Sequence, residues 1–155
     1  MSDNLQKMIA VALEELRQNV ESHREILNNV HAGQVPSPVE LSALAFMFQS
    51  FYTWIENVLK RIVREYDGVL PDSRSWHSDL LKVASQHTEN RPAIISEPLY
   101  NQLKEYLGFR HFTRYATGPM LDWGEMDHLV ISCDDVLAQF EMEIQTFIDK
   151  MNHGG

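Results

Sequence analysis

Apolar residues recur every three or four positions along most of the chain, with polar residues between them. This spacing places the apolar side chains on one face of an α-helix. The pattern predicts five helices, at approximately residues 3–32, 38–66, 74–86, 97–117 and 123–151. The polar, turn-like segment 87–92 is expected to be the least ordered connection. With no strand pattern and no internal repeat, we expect an all-α fold. The expected architecture is an antiparallel bundle of four or five helices in a single domain, residues 1–155.

Helix start and stop signals support these boundaries. Ser37 is a capping residue, Pro38 suits the first helical position, and Glu40 can return a hydrogen bond to the cap. Gly68 follows the end of the same helix, as expected of a C-terminal cap. At the first helix, the expected cap is Asp3.

The stretch 106–121 breaks the helical pattern. It contains Arg110, His111 and Arg114 and no acidic residue, in a chain whose formal net charge is −9. At about 100° per residue, one face of this helix holds apolar residues and then cationic ones. That face comprises Leu99, Leu103, Tyr106 and Leu107, followed by Arg110, Arg114 and Thr117. A buried stripe that becomes cationic carries its arginines into a cleft or presents them to a partner, and such broken local rules tend to mark function.

Composition narrows the classes of function. A chain of 155 residues with 44% hydrophobic and 23% charged residues fits one globular domain with a sizeable core. The acidic net charge argues against broad, sequence-independent binding of nucleic acid but permits a small basic site. The single cysteine, Cys133, excludes an internal disulfide and favours a reducing compartment. With no leader-like segment and no membrane-length apolar run, we expect a cytoplasmic protein with no membrane partner.

The sequence does not predict a metal site or another cofactor. Seven histidines are present, but no two have the i,i+4 spacing of a helical metal site. The one Glu-x-x-His, from Glu125 to His128, is half of what a di-metal carboxylate bundle needs. All the histidines except His111 are therefore expected on surfaces or at helix ends. A bundle that gathers one histidine from each of three helices would escape this spacing test, so a metal hydrolase stays open as an alternative.

Covalent nucleophilic catalysis has no support in the sequence. There is no Gly-x-Ser-x-Gly motif and no glycine-rich phosphate loop. Cys133 falls on the apolar face of the last helix, where a buried structural thiol is the ordinary case.

The remaining candidates are Arg110, His111, Arg114 and Tyr115. In one interpretation, the arginines pair with acids of a neighbouring helix or of a second copy of the chain. In the other, they act on phosphate. An arginine can hold a phosphodiester and stabilise the charge of the transition state, while a histidine moves protons near neutral pH. Such a reaction needs no metal.

The run 109–118, late in a helix, resembles the HepT-like branch of the HEPN superfamily. The resemblance implies a small all-α homodimer, a metal-independent RNase of a toxin–antitoxin pair. Its motif is Arg, four to six residues, His, one residue and Tyr, with a polar residue after the Arg. Arg110 matches the motif arginine and His111 the polar position. With four residues between, Tyr115 occupies the histidine position and Thr117 the tyrosine position, so the motif is altered.

Two functional hypotheses follow from the resemblance. In the first, a homodimer cleaves RNA, with tRNA as a possible substrate, at a composite site formed by Arg110, His111, Arg114 and Tyr115. A nucleotidyltransferase antitoxin is then the expected partner, and Tyr115 or Thr117 is the residue it would adenylylate. In the second hypothesis, the bundle is catalytically inactive and acts as a binding or regulatory partner of a nucleotidyltransferase. The missing histidine favours the second hypothesis, and the retained arginine-bearing segment favours the first.

Overall fold

A computed structural model describes residues 1–113 and 121–154 of the chain. Within those residues it contains six helices and no strand, which confirms the all-α fold. The helices are α1 (Asp3–Glu21), α2 (Arg24–His31), α3 (Pro38–Asp67), α4 (Trp76–Ala84), α5 (Glu97–Thr113) and α6 (Trp123–His153). The end of α5 that the sequence predicts at residue 117 lies outside the described residues.

The predicted capping signals of α3 are confirmed. The Ser37 side chain accepts a hydrogen bond from the Glu40 amide at 3.2 Å, and the Glu40 carboxylate accepts one from the Ser37 amide at 3.0 Å. At the other end, Gly68 adopts φ of 76°, a left-handed conformation that glycine enters without steric cost. Local sequence therefore sets both ends of this 30-residue helix.

The prediction of one helix over residues 3–32 is wrong, because the helix breaks at Ser22 and His23. The carbonyl of Asn19 accepts a hydrogen bond from the Ser22 hydroxyl at 2.8 Å and another from Nδ1 of His23 at 2.9 Å. The His23 amide bonds instead to the carbonyl of Val20. Two side chains thus compete for a carbonyl that a continuous helix would pair with a backbone amide, and this competition interrupts α-helices.

Two other predicted boundaries also shift. The cap of α1 is Ser2, whose side chain accepts from the Leu5 amide at 3.2 Å, and the expected cap, Asp3, is the first helical residue. The third predicted helix, residues 74–86, is the shorter α4, which begins after Ser75.

The helices pack in an antiparallel bundle around α3. The segment formed by α1 and α2 runs antiparallel to α6, since Arg17 of α1 contacts Glu141 at 2.7 Å whereas Arg24, further along the chain in α2, contacts the earlier residue Asp134 at 2.8 Å. Helix α3 packs on α1, α4 and α5 and contributes the largest share of the buried side chains. Among the helices the structure describes, none has an apolar segment long enough to cross a membrane.

The segment 87–92, expected to be poorly ordered, is anchored by the buried Arg91. Its guanidinium forms two hydrogen bonds with the Asp67 carboxylate, at 2.8 and 2.9 Å. It also donates to the carbonyls of Gln86, Pro92 and Val83. Every edge of the buried guanidinium therefore has an acceptor, and the segment is tied to the end of α3.

Candidate functional site

Helix α5 is fixed in rotation by its buried apolar residues. Leu99, Leu103 and Tyr106 are almost fully buried, as the sequence predicts. The Tyr106 hydroxyl donates a hydrogen bond of 2.6 Å to the carbonyl of Leu129 on α6, and its ring packs edge-on against Phe48 of α3. These contacts determine which face of α5 turns towards α3 at the next turn, where Arg110 lies.

Arg110 extends the buried face of α5 towards an acid on α3. Its Nη1 lies 3.6 Å from Oε1 of Glu56, and the guanidinium lies over the Tyr52 ring at 5.8 Å from the centroid. The Arg110 side chain is 26% exposed, so it is neither in bulk water nor enclosed. Burial raises the pKa of the Tyr52 hydroxyl above its ordinary range, and the negative charge of Glu56 raises it further. Tyr52 therefore stays neutral beside the arginine.

Glu56 also holds a histidine of α4. Its Oε2 lies 2.6 Å from Nδ1 of His77, whereas Oε1 faces Arg110. The Glu56 side chain is 5% exposed and the His77 side chain is 29% exposed. A buried carboxylate is costly unless it is paired and hydrogen-bonded, and here two partners from two different helices share it.

A groove runs between α4 and α5 beside this cluster. Its volume is about 440 Å³. Its described lining consists of Arg74, Ser75, His77, Ser78, Tyr100, Lys104, Leu107, Gly108 and His111. Every charged or titratable side chain in that lining except the Tyr100 phenol is basic, in a protein with an excess of acids. The groove is thus suited to an anion, because none of its described lining residues carries a negative charge at neutral pH.

The predicted site residues fall into two groups. Arg110 and His111 lie at the described end of α5, with Arg110 on the α3 side and His111 lining the groove. Arg114, Tyr115 and Thr117 lie outside the described residues. Glu56 is not among the residues that the sequence predicts for the site. His77 is expected on a surface or at a helix end, and it is the second residue of α4, where it also lines the groove. A signal for Glu56 was present, since it falls on the buried stripe of α3 between Tyr52 and Leu59.

The described residues offer little support for metal-dependent or thiol-based catalysis. No group of three or more histidine, cysteine, aspartate or glutamate side chains in residues 1–113 and 121–154 is arranged to hold a metal ion. Cys133 is buried, which confirms the predicted structural thiol. Burial raises its pKa to about 12, with a further contribution from Asp134, so the thiol stays protonated near neutral pH.

The protein is a small all-α bundle with a basic groove. The groove lies beside α5, which carries Arg110 and His111. A family model described as HepT-like protein matches residues 43–151, which is most of the chain. The chain therefore belongs to the HepT-like family of the HEPN superfamily, as the sequence resemblance indicates. No curated protein and no solved structure matches the chain.

Proposed function

We propose that the protein is a metal-independent endoribonuclease that acts as a homodimer. The observation that carries this proposal is the position of Arg110 and His111, next to each other on α5 beside a groove with a basic lining. Arg110 would bind the scissile phosphodiester and stabilise the negative charge that grows on its oxygens. His111 would transfer a proton.

The reaction is an internal transesterification. The ribose 2′-hydroxyl loses its proton to a base, and its oxygen forms a bond to phosphorus. The bond from phosphorus to the 5′ oxygen breaks, and that oxygen receives a proton from an acid. The products are a 2′,3′-cyclic phosphate and a 5′-hydroxyl, so no metal and no external reagent enters the balance.

Dimerisation is proposed from the family and has support on α3. Val39 and Phe46 are 79% and 66% exposed. They are seven positions apart, so they lie on the same face of the helix. Two exposed apolar side chains on one helix face suit a contact with a second copy of the chain.

A nucleotidyltransferase partner is proposed from the family alone. It would act as the antitoxin of a cytoplasmic pair and transfer AMP to Tyr115 or, failing that, to Thr117. Incubation with such a partner and ATP should add one AMP, and mass spectrometry of peptides from the wild type and from Tyr115→Phe should locate it.

A second candidate function is that of an inactive member that regulates a nucleotidyltransferase. Two observations favour it. Tyr115 stands at the motif's histidine position, and Arg110 already contacts the carboxylate of Glu56. In that case the groove would bind RNA or a partner without cleaving it.

Cleavage of tRNA in the presence of EDTA decides between the two functions. The wild type should cleave, and Arg110→Ala should lose cleavage by a factor of at least about 100, the scale of one transition-state donor. Arg64→Ala, an exposed arginine outside the groove, is the matched control and should cleave normally. Equal cleavage by Arg110→Ala, or none by the wild type, would reject the nuclease.

A further inference from the structure

Glu56 is a buried carboxylate in the core of the bundle, where apolar packing alone does not need a charged side chain. It lies on the apolar stripe of α3, and its two oxygens face different helices. One oxygen faces Arg110 of the altered motif, and the other accepts from His77 on α4. Glu56 therefore connects the motif arginine with an imidazole from elsewhere in the chain.

This contact favours one tautomer of the His77 ring. Because an ionised carboxylate only accepts hydrogen bonds, an ionised Glu56 assigns the proton of the 2.6 Å contact to Nδ1 of His77. In the neutral ring, Nε2 then has the free electron pair and can accept a proton. The Trp76 ring stacks on the His77 ring, with centroids 3.6 Å apart and planes at 28°, which further limits its rotation.

His77 also shares the groove with the sequence-predicted His111. Both line it, together with Arg74 and Lys104. A transesterification needs one group that takes a proton and another that gives one. The groove offers two imidazoles from two helices, in surroundings that favour a phosphate.

We propose that His77 is the general base of the nuclease and that Glu56 is its positioning residue. The inference rests on the proposed function. Nε2 of His77 takes the proton of the ribose 2′-hydroxyl as the 2′ oxygen bonds to phosphorus. His111, in its protonated form, gives a proton to the departing 5′ oxygen. His77 thereby supplies the imidazole that Tyr115 cannot supply at the motif's histidine position.

The sharpest variant is His77→Asn. Asparagine keeps a side-chain N–H that can donate to Glu56, but it has no nitrogen that accepts a proton. Cleavage of tRNA should fall by about 100-fold or more, the usual contribution of a general base. His87→Asn changes an exposed histidine outside the groove and should cleave like the wild type. In His77→Gly, added imidazole should restore part of the cleavage, which a purely structural residue would not allow.

Each outcome of this experiment tests either the role of His77 or the proposed nuclease function. If the wild type cleaves, Arg110→Ala does not and His77→Asn cleaves normally, then His77 is only a structural partner of Glu56 and the inference is wrong while the proposed function stands. If the wild type does not cleave, the proposed function fails and the role of His77 fails with it.

Two measurements remain decisive even if the variants fold poorly. In long-range proton–nitrogen spectra of the wild type, the His77 ring should show the proton on Nδ1. A 2′-O-methyl oligoribonucleotide, which cannot react, should shift the ring signals of both His77 and His111. A proton on Nε2 in the wild type, or ring signals of His77 that do not respond to the oligonucleotide, would overturn the proposal.

Discussion

Nη1 of Arg110 lies 3.6 Å from Oε1 of Glu56, whereas Arg91 binds Asp67 through two hydrogen bonds of 2.8 and 2.9 Å. Both acids belong to α3. The Arg91 contact has the two-pronged geometry of a strong charge-assisted pair and is buried. The Arg110 contact is longer and partly open to solvent. We therefore expect the Arg91–Asp67 pair to stabilise the fold, and we propose that the Arg110–Glu56 pair rearranges when a phosphate binds.

Arg91→Ala should destabilise the protein strongly. The change leaves the Asp67 carboxylate and three backbone carbonyls without their shared donor. Breaking a buried ion pair by removing one partner costs about 3–5 kcal/mol. Urea unfolding followed by circular dichroism measures the effect, with the exposed Arg64→Ala expected within about 0.5 kcal/mol of the wild type. A similar stability for the two variants would contradict the structural role of Arg91.

Lys104→Ala should weaken the binding of single-stranded RNA and reduce its salt dependence. Lys104 lines the groove and is exposed on α5, where its ammonium can contact a phosphate. Each phosphate contact to a single strand contributes about 0.7 to the slope of log K against log salt concentration. Fluorescence anisotropy at several salt concentrations measures both quantities. Lys7→Ala, on the distant α1, is the control and should leave the slope unchanged.

Phe46→Glu should convert the proposed dimer into monomers. A charge placed on the exposed apolar face of α3 would have to be desolvated in the interface of two copies. Light scattering coupled to gel filtration measures the mass. Val69→Glu, an equally exposed apolar residue that follows α3, is the matched control and should stay dimeric. A dimer that survives Phe46→Glu would place the interface on another surface.

The pair of Arg24 and Asp134 should make stability sensitive to acid. Hydrogen bonds from Arg24 hold the pKa of Asp134 below its ordinary value. Because the folded pKa is the lower one, this contribution is complete above the unfolded value of about 3.9 and is lost as pH falls through the folded pKa. The difference in melting temperature between the wild type and Asp134→Asn should therefore shrink below about pH 4. The exposed neighbour, changed as Asp135→Asn, should show no such convergence.

The sequence predicts the helices well because their signals are local. The capping residues Ser37 and Glu40 and the terminal Gly68 act within a few positions of the backbone they satisfy. The break at Ser22 and His23 escapes the periodic pattern, since apolar spacing continues across it while two polar side chains take the carbonyl of Asn19. The spacing of apolar residues indicates which face of a helix is buried. It does not indicate where side chains compete with a backbone amide for a carbonyl.

The candidate site could be predicted in part. The buried stripe of α5 correctly brings Arg110 to the edge of the core. The partner of this arginine, Glu56, lies on α3, and the second partner of that acid, His77, lies on α4, so no spacing pattern within α5 could predict them. The sequence shows Glu56 as an acidic residue on the otherwise apolar stripe of α3. Its contact with His77 depends on how α3 and α4 pack, which the sequence pattern does not show.

The packing of α1 against α3 determines which part of the chain can fold independently. The family match begins at residue 43, yet α1 covers α3 with Ile9, Ala12 and Leu16, all nearly inaccessible to water. A shortened chain that spans only residues 43–151 would lack α1 and would expose the hydrophobic side of α3 that α1 covers. The residues matched by the family model are therefore fewer than those that pack together in the bundle, and a chain shortened to residues 43–151 is expected to aggregate.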